Sequence, residues 1–323
     1  MILEELNEIT NDYFLLSDGA ATDIYFETSY LVQHFMKKQL GLWERPNGGR
    51  KIRVPIEYDE SEGGWYVRND PLSSDDRELI DAAYFDWKHA YGNATVYRAD
   101  TLMNSGDYAE VQLVTAKIKN AQKTARNWIA KSMYSDVTDS APGLTGIFSM
   151  CSEASTVTYG ALAEDSLVSA DGSKMWEGKR EAMSAAITVG HLREIRSDAK
   201  IHDGPDGKPS VLTTTEDLFN VIKGALTTYQ RYTEAKEITK VGFMALEFEG
   251  AVLAADDFIP SGALAAINGK HFGFGIHAKG YFARTEWMDL AGPAGQTMKV
   301  FWDGNAICNN RKAHKVMTAL TTA

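Results

Sequence analysis

Between Gly49 and Asp70 the chain reads GRKIRVPIEYDESEGGWYVRND. Ile52, Val54, Ile56 and Tyr58 alternate with charged or polar residues, which is the period of a strand with one buried face, and Pro55 marks an edge. Asp59 to Gly64 is turn material, and Trp65 to Arg68 reads as the returning strand. No third strand is evident nearby, and a lone two-stranded hairpin is marginal in water. The hairpin therefore has to rest on something else, in this chain or in another.

The segments around it set the context. Residues 1–44 read as mostly helical, with Ile24, Leu31, Phe35 and Leu40 near helical spacing and Gly41 as a stop. Tyr84 to Tyr97 reads as a second strand pair turning at Tyr91-Gly92-Asn93. A long helix follows over 107–135. Val111, Val114, Ile118, Ala121, Ala125 and Trp128 form a narrow apolar seam along it. At 1.5 Å per residue this is a rod of ~42 Å. Lys117, Lys119, Lys123, Arg126 and Lys131 lie on or beside its polar face, which reads as a solvated face.

Beyond Ala141-Pro142-Gly143 the sequence is loop-rich to about residue 172, and Glu177 to Ile195 is expected to be helical. Val211-Leu212 precedes a helix opened by Thr213-Thr214-Thr215-Glu216, where Glu216 suits the first turn. From Gly242 to Trp302 strand and turn patterns dominate. Helices and antiparallel strands without a βαβ rhythm give an α+β fold class.

Chemistry finds little support. GFGIHAKG has the wrong spacing for a nucleotide-binding glycine loop, and no G-x-x-x-x-G-K-[ST] occurs. The seven histidines include no H-x-H and no H-E-x-x-H, so no metal site is expected. No G-x-S-x-G is present. Asp256-Asp257 and Asp75-Asp76 read as turn formers or helix caps. Cys151 and Cys308 are expected to be free and partly buried. No catalytic residue and no cofactor are expected.

The feature-dense close, KVFWDGNAICNNRKAHKVMTAL, reads as strands meeting at an Asp303-Gly304-Asn305 bend, where Gly304 tolerates positive φ. Trp302 and Ile307 are expected to pack inward. Cys308, Asn309, Arg311 and His314 are expected to be structural, with Arg311 and Lys312 facing acidic groups of this or an adjacent subunit.

Charge narrows the partners. The formal net charge is -11, without the basic stripe of a DNA reader. Residues 1–36 hold Glu4, Glu5, Glu8, Asp12, Asp18, Asp23 and Glu27 and no Lys or Arg. This is either a solvated helical face or an arm that docks on a basic surface. No run is long and apolar enough for a membrane span, and the acidic N-terminus is unlike a signal peptide, so a cytoplasmic location is expected.

The collinear order of these elements resembles the major capsid proteins of tailed bacteriophages, whose fold is shared with encapsulins. The residues that carry it are AYFDWKHAYGNATVYRADTLMNSG before the long helix, GFMALEFEGAVLAADDFIPSGALAAING, and Trp302 to Arg311. The match spans roughly residues 20–320.

The resemblance implies an N-terminal arm (1–44), an extended hairpin loop (45–80), and a peripheral domain (81–145) with a spine helix over 107–135. It further implies an axial domain (146–270), long peripheral strands (271–303) and a return to the axial domain (304–323). It also implies a non-enzymatic shell subunit that assembles as pentamers and hexamers into an icosahedral capsid around double-stranded DNA. Such a subunit is made in host cytoplasm and resides in the virion. Its partners would be other copies of itself, a separate scaffolding protein, a portal, decoration proteins and weakly contacted DNA, with no membrane.

Arg50, Lys51, Arg53, Trp65, Arg68 and Arg311 are the expected inter-subunit contacts, and Lys51 is a conceivable donor for a Lys–Asn cross-link. The loop strands are expected to meet a neighbour and not their own core. An encapsulin-like compartment and a soluble α+β enzyme with a site in 146–270 are the alternatives.

Overall fold

The computed structural model describes residues 29–37, 42–44, 46–68, 70, 72, 78–103, 107–137, 141–152, 158–201, 207–229 and 245–322. The acidic residues before Ser29 and the pair Asp75-Asp76 lie outside them. The described chain enters through a short helical turn, α1 (Tyr30–Val32), which continues as a π-helical turn over Gln33–Lys37. Strands β1 (Leu42–Glu44), β2 (Ile52–Glu57), β3 (Ile80–Phe85) and β4 (Lys88–Tyr97) follow. Next come α2 (Arg98–Met103), the long α3 (Asp107–Met133) and α4 (Ile147–Met150). After β5 (Arg180–Ala182) the chain runs through α5 (Val189–Asp198), β6 (Val211–Thr214) and α6 (Glu216–Tyr229). Strands β7 (Ala245–Phe248), β8 (Ala251–Ala255), β9 (Leu264–Ile267), β10 (Phe272–Ile276), β11 (Ala283–Arg284), β12 (Met288–Asp289), β13 (Gly295–Cys308) and β14 (Lys315–Thr318) complete it.

Among the described residues these strands form two six-stranded sheets and one two-stranded ribbon, with helices packed on them, so the fold is α+β. The first sheet is built on β13, which pairs with β4, β10, β11 and β12; β1 adds to β10. The second runs β5-β14-β9-β6-β8-β7. Its residues alternate between two covered faces. Leu264 and Ala266 join Leu192, Ile195, Phe219 and Ile222 of α5 and α6, while Ala265 and Ile267 join the main core. With both faces covered, β6 and β9 are buried along their whole length.

The expected bends at two glycines are absent. β4 and β13 pair without interruption from Gly304↔Lys88 to Gly295↔Tyr97, so Tyr91-Gly92-Asn93 and Asp303-Gly304-Asn305 both lie inside strands. In these places glycine serves close backbone approach and not a turn. A Cβ on Gly92 would sit 2.0 Å from the Ala121 carbonyl oxygen of α3, and one on Gly304 would sit 2.7 Å from the Gly275 carbonyl oxygen. The chain leaves the first sheet only after Cys308, through Asn309 and the 3-10 turn Arg311–Ala313, and enters the second sheet as β14. Trp302 and Ile307 pack inward, as expected.

The apolar seam of α3 also differs from its sequence reading. Val114, Ile118, Ala121 and Ala125 are buried, but the seam continues through Ile129 and Met133, leaving Trp128 58% exposed. A straight helix of 3.6 residues per turn drifts by about 20° per heptad against a 3.5-residue pattern, which moves the buried stripe from 128 to 129. Arg126, read as part of a solvated face, is buried at 3% exposure. The side chain of Val111 lies outside the described residues. The helix expected over Glu177–Ile195 is shorter and later, because Arg180–Ala182 is taken up as a parallel partner of β14. Thr188 then starts α5 as its cap, in a reciprocal pair with His191.

Candidate assembly surface

β2 is a hairpin strand, but its partner is not Trp65–Arg68. It pairs antiparallel with β3, from Ile52↔Phe85 to Glu57↔Ile80. Trp65-Tyr66-Val67 forms no strand and stays exposed. The inward residues Ile52, Val54 and Ile56 are buried in their own subunit, opposite Phe85, Ala83 and Asp81. The ribbon finds its third support in its own chain too. Tyr84 N–H donates to the Gly160 carbonyl at 2.8 Å, and the Phe85 ring meets Tyr159 edge-on at 5.2 Å. The expectation that the loop strands meet only a neighbour is therefore corrected: the ribbon belongs to the subunit core.

What protrudes is the tip. Tyr58 N–H donates to the Leu79 carbonyl at 3.0 Å, and beyond this last rung the described residues of 59–79 form no strand. Asp59 pins the base: one carboxylate oxygen accepts from Ser169 Oγ at 2.7 Å and from the Ala170 N–H at 3.3 Å. Further out, Val67 N–H donates to Asp70 at 2.7 Å and Asp70 N–H returns to the Val67 carbonyl at 2.9 Å, a small closed turn. This turn displays Trp65, with 106% relative exposure, beside exposed Tyr66, Val67 and Leu72. Covering one indole removes roughly 150–250 Å² from water, worth on the order of 4 kcal/mol before entropic costs.

The expected contact residues fall into three places. Arg50, Lys51 and Arg53 lie at the ribbon's foot; Lys51 Nζ is 3.0 Å from Asp86, with side chains 41% and 37% exposed. Trp65 and Arg68 lie at the exposed tip. Arg311 is in neither group and is corrected: it is fully buried within its own subunit. Its Nε, Nη1 and Nη2 donate to the carbonyls of Met150 (2.7 Å), Trp176 (2.9 Å) and Ser152 (2.8 Å), and its plane lies near the Tyr159 and Trp176 rings. Burial lowers its affinity for the proton, yet a guanidinium stays charged in proteins. It thereby fastens the segment 150–176, which carries the Ser169 and Ala170 that hold Asp59.

The rest of the closing segment is equally internal. Neither Cys151 nor Cys308 is in a disulfide; both are fully buried, deeper than expected, and burial pushes the Cys308 thiol far up, so it is held as the thiol. Burial pushes His314 down to about 3, and its Nδ1 accepts from the Asn268 N–H at 3.1 Å. A protonated thiol and a neutral imidazole committed to a backbone donor make a poor nucleophile–base pair.

Asp256 is a turn former as expected, accepting from the Phe258 N–H at 3.0 Å. Its second oxygen does what the sequence did not reveal: it accepts from Ser29 Oγ at 2.7 Å and Leu31 N–H at 3.3 Å, anchoring the entering chain. Burial raises its carboxyl above the usual range, against the pull of these donors.

Two other places gather polar or apolar groups. The carboxylates of Glu181, Glu194 and Asp198 cluster within 4.8 Å. The Lys315 ammonium already sits on two of them, 2.7 Å from Glu181 and 2.6 Å from Asp198, where a metal cation would otherwise gather its ligands. A cavity of about 550 Å³ lies between β4 and α3, lined by Ala90, Trp128, Ile129, Leu144 and Trp302, with His89 and Lys88 at its wall. His89 is spoken for by Asp303 at 2.6 Å. Among the described residues no helix is long and apolar enough to cross a membrane.

No protein-family model and no curated protein matches the sequence. Solved structures do match the fold. The capsid asymmetric unit of cyanophage A-1(L) aligns with a TM-score of 0.65 at 12% identity, covering 92% of this chain and 94% of that one. A subunit of the native GTA particle capsid aligns at 0.58 and 12% identity, covering 88% and 89%. The encapsulin complex of Synechococcus elongatus PCC 7942 aligns at 0.53 and 9% identity, covering 91% and 90%.

Proposed function

Because the chain has the fold shared by phage capsid proteins and encapsulins, we propose that it is a self-assembling shell subunit. In this reading it forms pentamers and hexamers of an icosahedral capsid that encloses the double-stranded DNA of a tailed phage. The observation that carries assembly is the tip, an apolar Trp65-Tyr66-Val67 cluster held out on a ribbon whose base is fixed to its own subunit. A rigid base with a greasy exposed end suits insertion into an adjacent copy, and closed symmetry repeats that burial at every interface. Trp65 and Arg68 are the contacts of the tip; Arg50, Lys51 and Arg53 are those of the foot.

The arm, loop, peripheral and axial divisions follow the sequence limits, with one change: the long peripheral strand extends to Cys308. The subunit carries no catalytic site, and a scaffolding protein, a portal and decoration proteins are its further partners. The net charge of -11 suits weak, non-specific DNA contact, since a strongly basic wall would hold the genome by counterion release.

An encapsulin-like compartment is the second reading, since the same fold also aligns with the Synechococcus complex. Expression of the full chain with and without the products of its neighbouring genes, followed by negative-stain microscopy, separates the two. Closed shells from the chain alone, filled with a protein, support the compartment. Shells that form with a scaffolding protein and incorporate a portal support the capsid. A species that stays monomeric with every partner present rejects both.

A further inference from the structure

The cavity between β4 and α3 holds about 550 Å³, inside the ~300–1,000 Å³ range of small-molecule sites. Ile129, Leu144 and Trp302 line it as buried residues and form a covered apolar floor. Trp128 and Tyr91 line it while remaining 58% and 60% exposed, so two aromatic rings flank its open side. Core packing does not need Trp128, because the buried seam of α3 passes through Ile129 instead.

The polar groups of this cavity ask for an acceptor. Trp302 is fully buried, and its Nε1–H has no hydrogen-bond partner. A buried indole N–H ordinarily finds one. Lys88, 7% exposed, lines the same cavity and gives an N–H to the Ala141 carbonyl at 2.5 Å. The two donors lie at the same end. A Cβ on Gly304 would sit 3.1 Å from Cζ2 and Cη2 of Trp302, on the nitrogen-bearing edge of the ring, and Gly304 is the cross-strand partner of Lys88. Among the described residues no Asp or Glu lines the cavity, although the chain carries a net charge of -11.

We propose that this cavity binds a small planar aromatic acid, with its rings against Trp128, Tyr91 and the apolar floor and its carboxylate at the Trp302–Lys88 end. An ionised carboxylate only accepts hydrogen bonds, whereas an indole N–H and an ammonium only donate them, so the chemistries match. Charge-assisted bonds of this kind outweigh those a neutral guest can offer. The aromatic walls favour a flat ring system over a flexible aliphatic tail, since stacked and edge-on ring contacts add to simple burial. The site lies within one subunit and stands apart from the shell reading.

Isothermal titration calorimetry of the full chain with 2-naphthoate tests this. One site per subunit is expected, with Kd on the order of 100 µM. The uncharged 2-naphthalenemethanol, with the same rings, should bind roughly ten-fold more weakly. Trp302→Phe keeps an aromatic floor, removes the donor and should weaken naphthoate binding by a similar factor. Thr124→Trp, at an exposed α3 position that lines the cavity, should block binding with an unchanged unfolding midpoint. That variant and the uncharged compound decide the matter if Trp302→Phe does not fold. Trp65→Ser/Tyr66→Ser should bind like the parent, which separates the cavity from the exposed tip. No binding at millimolar naphthoate, equal affinity for the two compounds, binding that survives Thr124→Trp, or binding lost with the tip residues overturns the proposal.

Discussion

The loop tip and the closing segment are built from similar materials and have opposite fates. Trp65-Tyr66-Val67-Arg68 and Trp302 to Arg311 both combine aromatic and apolar residues with an arginine. In the closing segment every apolar side chain is covered, and Arg311 gives its donors to three carbonyls of its own subunit. At the tip the indole is bare, and Arg68 is exposed beside it. Composition therefore does not distinguish an internal clasp from an exposed tip. What distinguishes them is whether the backbone around them has strands to pair with. The closing segment continues a 14-residue strand, whereas the tip hangs beyond the last rung of a ribbon.

The sharpest way to break that contrast is at the clasp. Arg311→Met removes a buried cation and orphans three carbonyls, at a cost of about 3–5 kcal/mol in urea unfolding of the subunit. Arg311→Lys should recover little, since an ammonium cannot reproduce the planar fork. A loss below about 1 kcal/mol would return Arg311 to the surface role expected from sequence.

Gly92→Val should cost about 3 kcal/mol, because its Cβ would overlap the Ala121 carbonyl and push α3 off the sheet. Near-UV circular dichroism and the denaturation midpoint check it. A neutral effect would mean that the strand bends there after all.

His314 gives a pH signature of intermediate size. Burial lowers its folded pKa to about 3, while its unfolded value is near 6.5. Its contribution is therefore complete above ~6.5 and is lost as pH falls from there towards 3. The loss should reach about 2 kcal/mol between pH 6.5 and 5. His314→Gln should flatten this slope. Asp256 acts in the opposite sense, because its raised folded pKa makes its contribution largest at low pH and lost as pH rises. Cys308→Ala should be milder still, about 1 kcal/mol for a small buried group, with particle yield retained.

Strand alternation and helix spacing made much of the architecture legible in the sequence. The alternation of Ile52, Val54 and Ile56 marked β2, and the apolar stepping from Val114 to Ala125 marked α3. Pairing was harder to read, since any strand can return to several partners. Ala82-Ala83, which closes on β2, carries weaker strand character than Trp65-Tyr66-Val67, which does not. Glycine misled twice, because Gly92 and Gly304 carry the same local signal whether they permit a turn or the approach of another backbone. The arginine clasp and the Asp256 anchor join residues more than 130 and 220 positions apart, a distance no local pattern encodes.

The ribbon is intramolecular, and one paired measurement on Trp65→Ser/Tyr66→Ser tests whether its tip makes the proposed intermolecular contact. Urea unfolding of the subunit and mass photometry of the assembly reaction are run on the same preparation. The account predicts an unfolding free energy within about 0.5 kcal/mol of the parent, together with loss of closed particles. A variant that assembles normally, or one that unfolds more easily by several kcal/mol, contradicts it.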